Sequence, residues 1–289
     1  MFVELKQGAP RRQSPVTPRP FHVAVFPDGT PSTLFFRTPA GYLLRFPDHA
    51  DFHISLKDAP IVWCLPAPGA RKAIVEHLYL NQVLPMLLGK LGNLVFHASA
   101  VEIAGEAVGF VGQSRSGKST LAAGFALKGI PFLTDDALVL EPQGPIYLAI
   151  PSHPSVRLCK DSERALMGSG KDVSVSSSLA LKTKIAAGGR VAYCDRPRVL
   201  RTVYFLGDGA DQDISIHHLG AAETLIGWLK HSFILDVEDE ALLRDRFTQT
   251  ATLANRVTCH RLNFPRRFDQ LDRALTAIIE HVDAWRAAP

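Results

Sequence analysis

Short apolar runs bounded by turn residues dominate the first part of the chain. They follow a Pro- and Arg-rich stretch at residues 1–20, and the clusters PDGTPS, TPAG and PDHAD separate them. Runs of this kind are typical of strands in an antiparallel sheet. The Pro- and Arg-rich stretch at residues 1–20 predicts a flexible tail or an extended arm. A small antiparallel sheet should follow it, with strands at 21–26, 33–37, 41–46 and 60–65.

A helical pattern continues from residue 71 to residue 90, and Pro85 interrupts it. Because proline lacks an N–H group and its ring crowds the preceding turn, we expect a kink there. The run LVFHASAVEI at 94–103 returns to a strand pattern. The tripeptide AGE at 104–106 then predicts a tight hairpin turn.

Strand and helix patterns alternate in the rest of the chain, which is typical of α/β domains. We predict strands at 137–140, 146–150, 199–206 and 212–217. We predict helices at 159–167, 220–231, 238–254 and 266–283. The Ser/Gly-rich segment MGSGKDVSVSSS at 167–178 predicts a loop. The expected organisation is the tail, a β-rich region with its linking helix at 21–90, and an α/β domain with a mixed sheet at 91–289.

Composition and charge exclude several classes of protein. With 46% apolar and 21% charged residues, the chain is not mainly disordered, collagen-like or a coiled coil. Its net charge of +4 suits an anionic ligand but is too small and too dispersed for nucleic-acid binding. No apolar run approaches the roughly 18 residues of a membrane span, and none follows the basic N-terminus as in a secretory signal. We expect a cytoplasmic protein with neither nucleic-acid nor membrane partners, and a homo-oligomer is compatible with the sequence.

The cysteines and histidines give no metal or disulfide pattern. No CxxC pair and no HExxH motif occurs, and the cysteines are far apart at Cys64, Cys159, Cys194 and Cys259. Such spacing argues against a disulfide framework and against structural zinc. We expect four separate thiols with no role in the chemistry.

Residues 112–119 read GQSRSGKS and match the phosphate-binding pattern G-x-x-x-x-G-K-[ST]. Gly112 and Gly117 let the backbone turn so that successive N–H groups converge on phosphate oxygens. Lys118 can reach the β- and γ-phosphates, and Ser119 can bind Mg²⁺. The sequence therefore predicts a nucleotide-binding loop of Gly112, Gln113, Ser114, Arg115, Ser116, Gly117, Lys118, Ser119 and Thr120.

The flanks of this motif fit the prediction. The apolar run AVGFV precedes it, and a helical pattern from Lys118 to about Lys128 ends before Gly129, a residue suited to a helix C-terminus. Such a helix would point its positive end at the bound anion. Arg115 is unusual because small residues are common in the middle of the loop. Its side chain could fold over the phosphates or point to solvent.

Asp135 and Asp136 follow the apolar run GIPFLT. Adjacent carboxylates are costly to bury unless they have partners, and Mg²⁺ together with a substrate hydroxyl would supply them. Aspartate is also common in solvated turns. The spacing alone leaves both interpretations open.

Residues 97–136, HASAVEIAGEAVGFVGQSRSGKSTLAAGFALKGIPFLTDD, resemble the catalytic region of the HPr kinase/phosphorylase family. That region has a His-bearing strand, a phosphate loop, a helix, a small Gly turn and an Asp pair. The stretches at 80–101, 151–162 and 257–268 extend the resemblance over most of residues 20–285. The chain is most similar to HPr-kinase-related kinases of peptide-modification gene clusters, including those that phosphorylate lasso peptides. The fold implied is a P-loop nucleotide-binding core of the HPr kinase/PEP carboxykinase type.

The resemblance also implies roles for individual residues. Asp135 would be the general base that takes the proton of the acceptor hydroxyl, and Asp136 would bind Mg²⁺ together with Ser119. His97 matches the family histidine near the transferred phosphate. The implied cofactors are ATP and Mg²⁺. Two departures stand out: Arg115 replaces the usual Gly, and the chain has no clear copy of the glycine-rich HPr-binding segment, which argues against HPr as the substrate.

Several residues keep two interpretations. A lone histidine at a strand end is also a common structural residue, so His97 is either catalytic or structural. Arg157 is either a clamp on the transferring phosphate or a surface ion-pair partner. Lys182 and Lys184 either approach phosphate or an acidic substrate, or form a solvated basic segment. We expect surface or helix-start contacts for Arg261, Arg266 and Arg267.

The leading functional hypothesis is an ATP- and Mg²⁺-dependent kinase that phosphorylates a serine hydroxyl of a peptide or protein. The main alternative is a nucleotide-binding regulatory or peptide-docking module with weak or no transfer. A transporter ATPase is disfavoured because no LSGGQ-like signature occurs and the acidic pair follows the loop too closely. A carboxykinase is disfavoured because no second substrate signature is found. The N-terminal sheet could dock a peptide along its edge.

Overall fold

The computed structural model describes residues 3–167 and 182–287. The chain divides into two compact units, Met1–Leu84 and Pro85–Pro289, whereas our sequence-based division lay between residues 90 and 91. The segment predicted as a Ser/Gly-rich loop lies outside the described residues from residue 168 onward.

The first unit is built on a sheet that has six strands in the described part of the chain. Its strands are β1 (Glu4–Gln7), β2 (His22–Val25), β3 (Pro31–Thr38), β4 (Gly41–Phe46), β5 (Ala50–Ser55) and β6 (Ile61–Pro66). The order across the sheet is β1-β6-β5-β4-β3-β2. Neighbouring strands are antiparallel except β1 and β6, which are parallel.

The sequence pattern missed β5 because polar residues interrupt its apolar run. Asp51 is nevertheless buried, and it pairs with Arg45 across the β4–β5 ladder at 2.6 Å. A buried carboxylate requires such a partner. Part of the stretch predicted as a flexible tail or arm is held on this sheet, since Glu4–Gln7 forms β1 and the Gln13 amide donates to Asp51 at 2.8 Å.

The predicted interruption of the helix at Pro85 takes the form of a π-helical turn. The order is α1 (Lys72–Leu78), the π-helical turn Tyr79–Val83 and α2 (Leu84–Lys90). The N–H of Leu84 bonds to the carbonyl of Tyr79, five residues earlier. Because Pro85 has no N–H to continue the α-helical ladder, the widened turn accommodates the mismatch.

The second unit contains a mixed sheet and the remaining helices. The strands are β7 (Leu94–Phe96), β8 (Ala98–Ile103), β9 (Glu106–Val111), β10 (Phe132–Thr134), β11 (Leu138–Gln143), β12 (Ile146–Ile150), β13 (Ser155–Cys159), β14 (Lys182–Ala186), β15 (Arg198–Leu206), β16 (Ser215–His218) and β17 (Thr258–Asn263). The helices are α3 (Lys118–Leu127), α4 (Lys160–Met167), α5 (Ala221–Lys230), α6 (Glu240–Arg256) and α7 (Leu271–Ala287), with a 3₁₀ turn at Phe268–Gln270.

The order of the large sheet is β10-β8-β9-β15-β12-β11-β7, and β17 pairs with both β15 and β16. Strands β9, β15 and β17 are mutually parallel, whereas the other described pairs of this sheet are antiparallel. Strands β13 and β14 form a separate pair. The mixed α/β architecture expected from the sequence is therefore confirmed.

Most predicted elements are present, with a few omissions. The AGE turn is a hairpin between β8 and β9, and Ala104 and Gly105 both have positive φ. The pattern missed β13, β14 and β17, which are short or carry polar residues such as His260 and Arg261. The helix predicted from residue 266 begins as α7 at Leu271, after the 3₁₀ turn.

Helix α3 lies between the sheet and α7, and it is apolar on nearly all sides, which allows it to pack against both. Leu121, Ala122 and Phe125 are fully buried in a core that also contains Leu275 of α7. A Cβ at Gly124 would lie 3.1 Å from the Leu275 side chain, so the small residue allows the close packing of the two helices. This packing fixes the direction in which the N-terminus of α3 points.

We predict that the second unit loses stability in mild acid because of His260 on β17. Its ring is buried against His281, with ring centroids 4.6 Å apart, and its Nδ1 lies 3.1 Å from Thr202 Oγ1. Burial, and then the charges of His281 and His218, lower the pKa of His260 to about 4. An unfolded histidine binds a proton near pH 6.5, so protons favour the unfolded chain between pH 6.5 and pH 4.

The expected loss from this residue is about 2 kcal/mol of unfolding free energy between pH 7 and pH 5, measured by urea denaturation. A His260→Gln variant should lose less stability over this interval, whatever its stability at pH 7. The exposed His217 on β16 offers a matched control, and His217→Gln should keep the wild-type pH dependence. An equal pH dependence of stability in all three proteins would contradict the prediction that His260 causes this loss.

Candidate nucleotide-binding site

The three parallel strands place the glycine-containing loop at one edge of the sheet. The carboxyl ends of β9, β15 and β17 lie together, since Phe205 is in register with Val111 and Leu206 with Leu262. Residues 112–117 leave β9 at this edge and lead directly into α3. The sequence therefore folds locally into the strand–loop–helix arrangement that the motif requires, with the N-terminus of α3 facing the loop.

Glycines are required at two positions of this loop. A Cβ at Gly112 would lie 2.7 Å from Ser116 Oγ and 3.3 Å from the Cβ of Leu206, so a side chain would not fit. Gly117 has a φ of 101° and forms the N-cap of α3. Arg115 also has a positive φ, 66°, although it carries a side chain. The loop thus keeps a left-handed backbone at the position where the resemblance leads us to expect glycine.

The lysine of the loop is folded back on the loop itself. Lys118 Nζ donates to the carbonyls of Gly112 at 2.7 Å and Gln113 at 2.9 Å. The side chain is buried, and these carbonyls compensate its charge. Ser116 Oγ is also buried, and within the described part of the chain it has no hydrogen-bond partner. An orphaned hydroxyl in a loop of this shape is a donor suited to an anion.

Asp135 joins three elements at the start of α3. Its Oδ1 accepts hydrogen bonds from Ser99 Oγ at 2.7 Å and Ser119 Oγ at 2.8 Å, and its Oδ2 accepts the Arg157 N–H at 2.9 Å. The residue is buried, directly after β10. The resemblance pairs Ser119 with Asp136 as magnesium ligands, but this hydrogen bond of Ser119 goes to Asp135. Ser119 and Asp135 together offer the hard oxygen donors that Mg²⁺ prefers.

Asp136 and His97 are connected through the backbone. The ring Nδ1–H of His97 donates to the carbonyl of Asp136 at 2.9 Å, which sets the tautomer of a neutral ring. Asp136 is buried and has a φ of 70°, uncommon for a residue with a side chain. The backbone N–H of His97 donates to the carbonyl of His231 at 2.7 Å. His97 is therefore oriented from both sides.

A cavity of about 550 Å³ adjoins the loop and α3. His97, Arg157 and Phe268 line it together with loop residues 114–120. Arg157 is half-buried, and burial lowers the pKa of its guanidinium. Arg157 lies opposite Lys184 in the β13–β14 ladder, whereas the side chain of Lys182 is outside the described part of the structure.

A second cavity of about 800 Å³ adjoins the loop along Val111–Ser114 and Ser116. Basic residues in its wall include Lys230, Arg261 and Arg266, and acidic residues include Asp208 and Glu223. His231 also lines this cavity. Burial, followed by the positive charges of Lys118 and Lys230, lowers the pKa of His231 to about 4, so this ring is neutral at pH 7.

Sequence reasoning missed three residues that the structure adds to the site. Ser99 lies on β8, two positions after His97, which is at the bend between β7 and β8. Ser162 Oγ lies 3.1 Å from Thr120 Oγ1, and Phe268 reaches the cavity from the far end of the chain. Each is the last residue of a stretch that carries the resemblance, 151–162 or 257–268, but the sequence gives neither residue a role. Arg267, as expected, makes a helix-start contact, an ion pair with Asp269 at 2.8 Å.

The cysteines are distributed over the chain, and one of them, Cys159, lines the cavity at the loop. The four cysteines are unpaired, and burial raises the pKa of Cys64 to about 11 and that of Cys259 to about 12. Among the described residues, no three His, Cys, Asp or Glu side chains converge to form a metal site. None of the described helices combines the length and apolar character needed to cross a membrane.

The chain is similar to solved structures, but not to known families or curated proteins. No family model and no curated protein matches the chain. Among solved structures, the chain is similar to the Hpr(Ser) kinase/phosphatase from Coxiella burnetii, with 12% sequence identity and a TM-score of 0.35. The match covers 67% of this chain and 99% of that chain. At this level of similarity, an activity has to be inferred from the residues of the site.

We predict that Arg115→Gly stabilises the protein by about 1 kcal/mol, because a residue with a Cβ is strained at a φ of 66°. Arg115 is exposed, so the substitution removes little packing. The control is Arg115→Ala, which removes the same charge but keeps the Cβ and should bring no such gain. Thermal or urea unfolding measures the stability of both variants. Equal stabilities would contradict the claim that the backbone is strained at residue 115.

Proposed function

We propose that this protein is an ATP- and Mg²⁺-dependent kinase that transfers the γ-phosphate to a serine hydroxyl of a peptide or protein. The observation that carries the proposal is the hydrogen bond between Ser119 and Asp135, 2.8 Å long. It links the hydroxyl directly after the loop lysine to a buried carboxylate, as a site for a metal–nucleotide complex requires. The resemblance to the HPr kinase/phosphorylase family supports the same class of reaction.

The loop is suited to the phosphates of the nucleotide. The backbone N–H groups at the start of α3 have no partners within the helix and can donate to phosphate oxygens. The ammonium group of Lys118 donates to two carbonyls of the loop. When a nucleotide binds, this group can donate to the β- and γ-phosphates instead. Ser116 Oγ adds a buried hydroxyl. The anion would thus meet donors that are already in place.

The metal would be held by Ser119 and Asp135. When bound, Mg²⁺ neutralises charge on the phosphates, and it commonly uses one or two protein oxygens besides phosphates and waters. We therefore propose that Asp135 lies beside the metal, a place that the resemblance gives to Asp136. Oδ1 faces Ser119 and would lie on the metal side, whereas Oδ2 would remain to take a proton, so this position is compatible with the role of general base for Asp135.

The transfer needs few protein groups. The serine oxygen forms a bond to the γ-phosphorus as the bond to the β-phosphate oxygen breaks, ADP leaves, and Asp135 takes the hydroxyl proton. Lys118 and Arg157 place positive charge around the transferred group, and Arg157 can do so with two parallel N–H donors. His97, fixed by its bonds to Asp136 and His231, faces the same cavity.

The first test removes the loop charge. Lys118→Ala should weaken nucleotide binding at least about tenfold, since hydrogen bonds to charged groups contribute about 1.5–3 kcal/mol. Lys128, at the other end of α3, is a matched control because it makes only an exposed ion pair with Asp272 at 3.1 Å among the contacts described. Titration calorimetry with ATP should show wild-type affinity for Lys128→Ala. Wild-type affinity in Lys118→Ala would contradict the site.

The second test separates the two aspartates. Asp135→Asn should abolish transfer of labelled γ-phosphate to a serine peptide library, with a matched library of alanine peptides as the blank. It should also raise the Mg²⁺ concentration needed for nucleotide binding more than Asp136→Asn does, because Ser119 contacts Asp135. Full transfer by Asp135→Asn would contradict the proposal. If wild-type protein binds ATP but phosphorylates nothing, the chain is instead a nucleotide-binding regulatory or docking module.

A further inference from the structure

We propose that the nucleotide base stacks on Phe268, in an apolar recess beside the first turn of α3. This inference rests on the proposed nucleotide-binding function and adds to it the position of the base. The phosphate loop fixes one end of the nucleotide, and the base must leave it along a surface that offers an aromatic or apolar face. The described residues offer such a face where the 3₁₀ turn reaches the loop.

A cavity of about 160 Å³ lies at this place. Its apolar walls are Leu121, Phe264, Phe268 and Leu271, and Gly117 and Thr120 form the side next to the loop. Phe264 is packed against the loop, since a Cβ at Gly117 would lie 3.5 Å from its ring. A recess of this size with apolar walls, in contact with a phosphate loop, is suited to a planar heterocycle.

Phe268 is exposed although it is a large apolar residue. Its exposed fraction is 46%, while Phe264 and Leu271 on either side of it are buried. The ring projects from a hydrogen-bonded turn, in which the N–H of Gln270 donates to the carbonyl of Arg267 at 3.0 Å. The ion pair of Arg267 with Asp269 lies in the same turn. An exposed aromatic ring beside the loop is what base stacking requires.

Phe268 also connects this recess with the larger cavity at the loop. Both cavities are lined by Arg115, Gly117, Thr120, Ser162 and Phe268. The larger cavity continues past the N-terminus of α3 to His97 and Arg157. A nucleotide can therefore lie in one continuous groove, with its γ-phosphate at His97 and its base at Phe268.

The guanidinium groups around the recess fit this arrangement. Arg115, Arg266 and Arg267 line it, and Arg266 is anchored by a hydrogen bond to the carbonyl of Gly207. A guanidinium can stack on a planar base and can neutralise the α-phosphate. Aromatic and cationic groups stack on the face of the base. Stacking of this kind does not distinguish one base from another.

The test compares ATP with inorganic tripolyphosphate, a probe that carries the phosphates without the nucleoside. Phe268→Ala should weaken ATP binding about 5- to 150-fold, since stacking contributes about 1–3 kcal/mol per base. It should leave the affinity for tripolyphosphate unchanged, which also shows that the loop is folded. Phe268→Trp should retain ATP affinity. Phe247→Ala is the control, because Phe247 is a similarly exposed ring on α6 that lines none of these cavities.

Two results would overturn the inference. One is an unchanged ATP affinity in Phe268→Ala. The other is an equal loss of affinity for ATP and for tripolyphosphate. That result would show that Phe268 supports the structure of the loop and does not bind the base. A wild-type protein that binds neither probe would instead overturn the proposed function itself, so the two failures are distinguishable by titration calorimetry of the same protein preparations.

Discussion

The buried carboxylate of Asp135 is the contact on which the site depends. It accepts hydrogen bonds from β8, from the first turn of α3 and from β13, through Ser99, Ser119 and the N–H of Arg157. A buried carboxylate is stable only with such partners, and a hydrogen bond to a charged group contributes about 1.5–3 kcal/mol. These bonds therefore fix how the phosphate loop, the acidic pair and the Arg157 strand lie relative to one another.

The strand order explains why this carboxylate can reach the loop. β8 lies between β9, which carries the loop, and β10, which ends at the aspartates. Ser99 of β8 thus stands between the two and bonds to Asp135. The parallel strands β9, β15 and β17 bring their carboxyl ends to the loop from the other side. Ligands commonly bind at such an edge, because helix N-termini and strand ends meet there.

The sequence predicts the local part of this arrangement well and the tertiary part poorly. The loop, α3 and the hairpin at 104–106 follow from neighbouring residues, and the structure has them where the pattern places them. The partner of Ser119 could not be deduced, because two adjacent aspartates are equivalent in spacing and only the backbone turn at Asp136 decides between them. Phe268 was missed for a different reason, since nothing local connects residue 268 with a loop more than a hundred residues earlier. Strands β5 and β17 were missed because their polar residues find partners across the sheet.

A crystal structure with Mg²⁺ and a non-hydrolysable ATP analogue tests the account most directly. We expect the ammonium group of Lys118 to leave the carbonyls of Gly112 and Gln113 for the β- and γ-phosphates. We expect Mg²⁺ at about 2.0–2.1 Å from Ser119 Oγ, with Asp135 bound to it directly or through a water. The account would be contradicted by a nucleotide bound away from residues 112–120, or by a metal that contacts neither Ser119 nor Asp135.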